Sequence, residues 1–130
     1  MKRLFLLLLV LSCFLVVSCE AVLNALFRDE IEYHVTSSLS SATFNVMYDD
    51  ANGNRVFVNN NIGSFKKSFN LEKKDESYTY AAYVSAYFTT ANPSDTTLTA
   101  TIKVNGVERK SNVTASGVTT VTTTATVTHY

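Results

Sequence analysis

Between Ser77 and Thr89 the side chains alternate without interruption. Tyr78, Tyr80, Ala82, Val84, Ala86 and Phe88 take one set of positions; Tyr83, Ser85 and Tyr87 take the other. A period of two belongs to a strand, whose successive side chains leave opposite faces, and no helix can bury such a pattern on one side. The same period recurs along the chain. Ile31, Tyr33 and Val35 share a face, as do Phe44, Val46 and Tyr48. Val56 and Val58 mark a strand from Arg55 to Ile62, and Phe65, Phe69 and Leu71 mark the next. Leu98, Ala100, Ile102 and Val104 alternate with Thr97, Thr99, Thr101 and Lys103. A return strand runs from Val107 to about Thr114. Finally Val121, Thr123, Ala125 and Val127 alternate with Thr122, Thr124, Thr126 and Thr128. Thr and Val, stiff at χ1, favour this extended state.

The breaks between these runs are chemically apt for turns. Asp49-Asp50-Ala51-Asn52-Gly53-Asn54 supplies side chains that bond the local backbone and residues that tolerate positive φ. Asn105-Gly106 is a strong two-residue hairpin signal. The charged run Glu72 to Glu76 reads as a solvated hairpin tip, Asn92-Pro93-Ser94-Asp95 ends the longest strand, and Gly117 punctuates before the last. Seven or eight short strands with singly apolar faces, in a domain of this size, predict two antiparallel sheets packed face to face. A closed barrel is the alternative.

The start of the chain is different. Met1-Lys2-Arg3 precedes an apolar run from Leu4 to Val17, which ends at Val16-Val17-Ser18-Cys19. Positive charge, an apolar stretch and a small-residue site make a secretory signal over residues 1–18. The run has 14 residues, fewer than the roughly 20 that a membrane-spanning helix needs. Cysteine directly after the site resembles the lipobox of bacterial lipoproteins, which implies that Cys19 is lipidated and becomes the first residue of the mature chain. Several acyl chains, at about 0.8 kcal/mol per buried methylene, hold a protein stably on a bilayer. Residues 19–30 then form the lipidated end and a short tether, with Val22, Leu23, Leu26 and Phe27 at near-helical spacing. Residues 31–130 form the folded domain.

Removal of the signal takes Cys13, Lys2 and Arg3 with it. No thiol is left for a disulfide, a thiolate metal site or a nucleophile in the domain. Nine basic residues remain against eleven acidic ones, so there is no basic excess to neutralise a phosphate backbone, and nucleic acid is not an expected partner.

Three stretches carry a resemblance. They are Ile31-Glu32-Tyr33-His34-Val35-Thr36, then Phe44-Asn45-Val46-Met47-Tyr48-Asp49-Asp50-Ala51-Asn52-Gly53-Asn54, then Thr101-Ile102-Lys103-Val104-Asn105-Gly106-Val107, with Ala115-Ser116-Gly117 as a small-residue step before the last strand. Together they resemble the MmpS family, the small partner proteins of mycobacterial MmpL transporters, and its lipoprotein relatives. The chain departs from that family at Ile62-Gly63-Ser64-Phe65, where a Pro-Trp is common, and in lacking a late cysteine pair and a membrane helix. The resemblance implies an immunoglobulin-like β-sandwich, held at a membrane, without catalysis of its own. It also implies a transporter of the resistance-nodulation-division (RND/MmpL) type as partner.

Constellations for chemistry are sparse. His34 and His129 fall in the first and last strands, where they could be neighbours, but no Ser or Asp pattern beside either suggests a triad. Asp50 to Asn54 imitates the first half of a calcium loop, yet Arg55 stands where glycine is required and Asn61 where a bidentate Glu is required. A β-turn is the expectation there. No catalytic residue, metal ligand or cofactor is assigned. Asn112-Val113-Thr114 fits a glycosylation sequon by composition alone. The aromatic residues say more. Tyr83 and Tyr87 lie opposite Tyr78, Tyr80 and Phe88, and both faces of one strand cannot easily be core. Tyr83 and Tyr87 are therefore the candidate binding face.

The expectation is a non-catalytic lipoprotein of the bacterial cell membrane or outer membrane, facing periplasm or exterior, that binds or assists another envelope protein. The alternative is a surface-exposed structural or adhesive lipoprotein that contacts glycan or host protein.

Overall fold

The structure is a computed structural model that describes residues 28–72, 77–89, 95–114 and 118–129. Cys19, the signal and residues 19–27 of the tether lie outside the described residues, as do residues 73–76 of the charged tip, 92–94 of the strand break and Gly117. Eight strands follow one another: β1 (Arg28–Ser37), β2 (Thr43–Asp49), β3 (Arg55–Ile62), β4 (Ser64–Glu72), β5 (Tyr78–Phe88), β6 (Leu98–Val104), β7 (Val107–Val113) and β8 (Thr120–His129). They form two antiparallel sheets of four, ordered β4-β1-β6-β7 and β3-β2-β5-β8. The domain is a β-sandwich; the barrel alternative fails, because each sheet keeps two edges.

Each strand contributes its apolar face to the space between the sheets. Ile31, Tyr33 and Val35 of β1 and Leu98, Ala100 and Ile102 of β6 meet Phe44 and Val46 of β2 and Ala82, Val84 and Ala86 of β5. All of them are shut off from solvent or nearly so. Burial of a side chain of Val, Leu, Ile or Phe size stabilises by about 1.5–3 kcal/mol, so the eight larger side chains among these eleven positions supply most of the drive to fold.

Strand β1 begins at Arg28, three residues before the apolar pattern does. The reason is Asp29, a buried acid at an inward position. Tyr78 donates its hydroxyl proton to one carboxylate oxygen at 2.8 Å, and the Asn105 amide donates to the other at 2.8 Å. Asn105 also joins β1, its side-chain oxygen accepting the Glu30 N–H and its own N–H donating to the Glu30 carbonyl. The Asn105-Gly106 turn has positive φ at both residues, as a type I′ hairpin requires. Burial and the bond to Asp29 push the Tyr78 hydroxyl up to about 12.

The exposed edges are defended. In β3, Asn59 and Asn60 together face Asn45, so the strand bulges, and Asn60 adopts φ 58° there. Its N–H is taken by the Asn45 side chain at 2.9 Å. In β7, Arg109 is the additional residue between Glu108 and Lys110. On β8 the Thr122 carbonyl is capped by the Asn112 amide from the neighbouring sheet at 2.7 Å. Bulges deny a second strand a regular edge to pair with, and the cap occupies one carbonyl on the edge of β8.

One buried group lacks a bond. Thr123 of β8 points inward, is 1% exposed, and its hydroxyl is the one unbonded buried side-chain polar atom among the described residues. A desolvated hydroxyl without a partner costs stability. Thr123→Val keeps the shape and removes the hydroxyl, and is expected to raise stability by about 1 kcal/mol in urea titration. An unchanged or lower midpoint would mean that the hydroxyl has a partner in solution.

Candidate functional site

The outer faces of the two sheets differ in kind. On β4-β1-β6-β7, Glu32 lies between Lys66 at 2.6 Å and Lys103 at 3.5 Å, and Glu108 stands opposite Lys103 in the register. The Lys66 hydrogen bond holds the Glu32 carboxyl below its usual range. His34 points to this same charged face, between buried neighbours Tyr33 and Val35. Strand β8, which carries His129, belongs to the other sheet.

The outer face of β3-β2-β5-β8 has another composition. Its rows can be read from the register. Phe57 stands opposite Met47, Met47 opposite Ser85, and Ser85 opposite Thr122. Toward one end, Asn45 stands opposite Tyr87, which faces Thr120, while Thr43 faces Ile62. Toward the other end come Arg55, Asp49, Tyr83 and Thr124. Among the described residues Arg55 and Asp49 are the only charged ones at outward positions of this sheet, and they neutralise each other. Arg55 Nε lies 2.5 Å from one Asp49 oxygen and Nη2 lies 3.3 Å from the other.

Both tyrosines singled out in the sequence lie on this face, in different situations. The Arg55 guanidinium sits 4.0 Å above the centre of the Tyr83 ring, and Tyr83 is half-buried beneath it. Arg55 Nη1 also reaches the Met47 sulfur at 3.8 Å. A cation over a ring face is attracted by the ring quadrupole, so this corner is a packed unit. Tyr87 has no such cover and is 39% exposed. Two further residues, not anticipated, extend the apolar surface: Phe57 at 62% and Ile62 at 66% exposure. The signal for Phe57 was present, since it alternates with inward Val56 and Val58.

A hydroxyl from the opposite sheet fixes the corner from below. The β2–β5 ladder stops at Tyr48 and Val84. Beyond that pair the Tyr33 hydroxyl enters from β1, donating to the Asp49 carbonyl at 3.0 Å and accepting from the Tyr83 N–H at 3.3 Å. The Tyr80 hydroxyl lies 3.3 Å away and is shared between the carbonyls of Asp49 and Asp50. Burial is the main reason that both hydroxyls hold their protons above the ordinary tyrosine range, Tyr33 the more so. Tyr33 thus stitches the sheets together and sets the backbone from which Asp49 and Tyr83 project.

The acidic turn is structural in its contacts. Asp50 Oδ1 accepts the N–H groups of Asn52 and Asn54, both at 2.9 Å. These bonds, that from Asn54 first, lower the Asp50 carboxyl from its usual range. Among the described residues no three of His, Cys, Asp and Glu converge on a point where a metal could sit. A groove lined by Ala51, Asn52, Asn70, Leu71, Glu72, Tyr78, Thr79 and Tyr80 opens at this end of the sandwich.

No protein-family model matches the chain, and no curated protein matches it.

Proposed function

We propose that this chain is a lipid-anchored, non-catalytic module of the bacterial cell envelope that docks on another envelope protein through the outer face of β3-β2-β5-β8. The segregation of charge carries the reading. One face of the sandwich presents Glu32, Lys66, Lys103 and Glu108, and the other presents Phe57, Ile62 and Tyr87 with one self-neutralised ion pair. Depletion of charge together with exposed aromatic residues is the composition of an interface centre. The lipobox-like site at Cys19 supplies the anchor in this reading. The likeness to MmpS proteins makes a transporter of the resistance-nodulation-division type the partner to look for first.

The anchor is tested by Cys19→Ser in cells. The unaltered chain is expected to take up labelled fatty acid and to enter the detergent phase; the variant is expected to do neither. Label and membrane partition that persist in the variant would remove the lipoprotein reading.

A further inference from the structure

We infer that edge strand β8 is a self-pairing site: two copies of this chain join antiparallel, β8 to β8, about a twofold axis at Thr124. The pairing goes beyond the docking reading above and depends on neither the docking face nor the anchor.

The edges of the two sheets are not alike. Strand β4 carries Lys66 and Lys67, β7 carries Glu108, Arg109 and Lys110 with an additional residue, and β3 bulges at Asn60. From Thr120 to Thr128, β8 has no charge, glycine or proline, and its ladder with β5 runs without a shift. Among the described residues it has no neighbour in its sheet beyond β5. An edge without charge or irregularity is a template for another strand.

Parity decides which backbone groups lie open. The Phe88 N–H donates to the Thr119 carbonyl at 3.1 Å, which marks a hydrogen-bonded pair. Bonded and non-bonded pairs alternate along an antiparallel ladder, so Thr120, Thr122, Thr124, Thr126 and Thr128 turn both N–H and C=O away from β5. The side-chain bonds agree. Ser85 of β5 reaches the Val121 carbonyl at 3.1 Å, whereas the Thr122 carbonyl is met by Asn112 from the other sheet. A carbonyl has two lone pairs, so the Asn112 cap leaves Thr122 able to accept a second bond.

The order of residues says which strand fits this edge. Thr120-Val121-Thr122-Thr123-Thr124-Ala125-Thr126-Val127-Thr128 reads the same from either end, except at Thr123 and Ala125. A twofold axis at Thr124 therefore sets like against like. Thr120 stands opposite the second copy's Thr128, Thr122 opposite its Thr126, and Thr124 opposite its Thr124, all in the exposed row and all with open backbone groups. In the inward row Val121 meets the second copy's Val127, and Thr123 meets its Ala125. Thr–Thr pairs directly opposite each other stabilise a ladder. An unrelated strand would match both rows only by chance; a second copy matches them by symmetry. Because the same patch is used twice, the interface closes at two copies. Strand β7 runs beside this edge with Glu108, Arg109 and Lys110, but these are exposed charges of both signs, which solvent and salt screen.

The axis stands perpendicular to the sheet, so both copies show the outer face of β3-β2-β5-β8 on the same side. The uncharged surface is doubled. The chain leads back to Cys19 from the end where Arg28 pairs with Glu72 and Tyr78 with His129, while Leu39 and Ile62 lie at the opposite, distal end. In the pair the two chain starts point opposite ways along the strands. Nine peptide steps from Cys19 to Arg28 reach about 30 Å, enough for both to meet one bilayer when the strands lie along it.

The test is disulfide trapping of the full chain in intact cells. Directly opposed residues of a hydrogen-bonded pair have Cα atoms about 5.5 Å apart, within disulfide reach. Thr124→Cys alone is expected to give a homodimer above the level of the unaltered chain, whose own cysteines are Cys13 and Cys19. Thr120→Cys alone is expected to give none, since eight residues, about 27 Å, separate it from its copy. Co-expressed with a chain carrying Thr128→Cys, it is expected to crosslink. Thr126→Pro removes an edge N–H that β5 does not use, and Thr126→Lys adds a charge to the edge. Either one, combined with Thr124→Cys, is expected to lower the dimer at least about tenfold with the urea midpoint little changed. No dimer from Thr124→Cys, an equal dimer from Thr120→Cys alone, an adduct with a different protein in its place, or a yield that folded Thr126→Lys protein leaves unaltered would overturn the inference. Partition with membranes is read on the same samples, so the anchor stands or falls apart from the pairing.

Discussion

Gly63→Ala is expected to lower the stability of the domain by about 3 kcal/mol, the sum of a dihedral cost and an overlap, each on the order of 1–2 kcal/mol. Gly63 lies between β3 and β4 with φ 69°, a conformation in which a Cβ is strained. A Cβ there would lie 2.5 Å from the Ser40 carbonyl oxygen, a backbone atom that cannot swing aside. The residue is also pinned. Its N–H donates to the Ala42 carbonyl at 3.0 Å, and its own carbonyl accepts the Ser37 N–H at 2.8 Å. The β3–β4 connection and the β1–β2 connection are therefore packed against each other through this glycine, and the distal end with Leu39 and Ile62 depends on it. Gly53 is the control. It has φ 77°, but a Cβ there meets nothing within 4 Å. Gly53→Ala is expected to cost only about 1 kcal/mol, the dihedral part. Equal losses from the two variants in urea titration would show that the contact with Ser40 is not formed.

The second large effect is expected from Tyr33→Phe, about 2 kcal/mol, because one hydroxyl serves two backbone groups in the interior. For a domain of this size that is a fall in Tm on the order of 10 °C. Its pH dependence distinguishes it from a simple packing loss. Burial raises the Tyr33 hydroxyl above the ordinary value, so the folded chain keeps a proton that the unfolded chain releases at about pH 10. The stability that Tyr33 contributes is thus fully present below pH 10 and is lost as pH rises above it. Tyr80 and Tyr78 shift in the same direction and add to that alkaline fall. In Tyr33→Phe the alkaline fall is expected to be shallower while the loss at neutral pH is complete. An unchanged alkaline limb would mean that the hydroxyl is solvated. The variant is also expected to loosen the Arg55–Tyr83 stack, since Asp49 and Tyr83 lose their common support.

The sandwich was readable before its sheets were, and the reason is physical. Alternation is local, so Tyr78 to Phe88 or Val121 to Val127 declare a strand and its buried face without reference to any other segment. Sheet membership is not local. Nothing in the sequence of β4 says that it pairs with β1 and not with β3, to which Gly63 joins it. The start of β1 was hidden because Asp29, an acid at an inward position, breaks the apolar period; its long-range bonds to Tyr78 and Asn105 help make that position tenable.

The candidate face was partly readable for the same reasons. Tyr83 and Tyr87 could be placed opposite the core face of their own strand. That Tyr83 is roofed by Arg55 and Tyr87 is not follows from the β2–β3 register, which no local pattern gives. The segregation of charge likewise needs the strand order. Glu32, Lys66 and Lys103 are far apart in sequence and meet only because β4, β1 and β6 are neighbours.

Hydroxyl-radical footprinting of the full lipoprotein tests the central claim most directly. Oxidation is compared between intact membranes and the detergent-purified chain. Phe57, Met47 and Tyr87 are expected to be modified several-fold less in membranes, while His34 on the charged face reacts equally in both. Equal modification of Phe57 and Tyr87 in the two states, or protection of His34 in their place, would contradict a docking face on β3-β2-β5-β8.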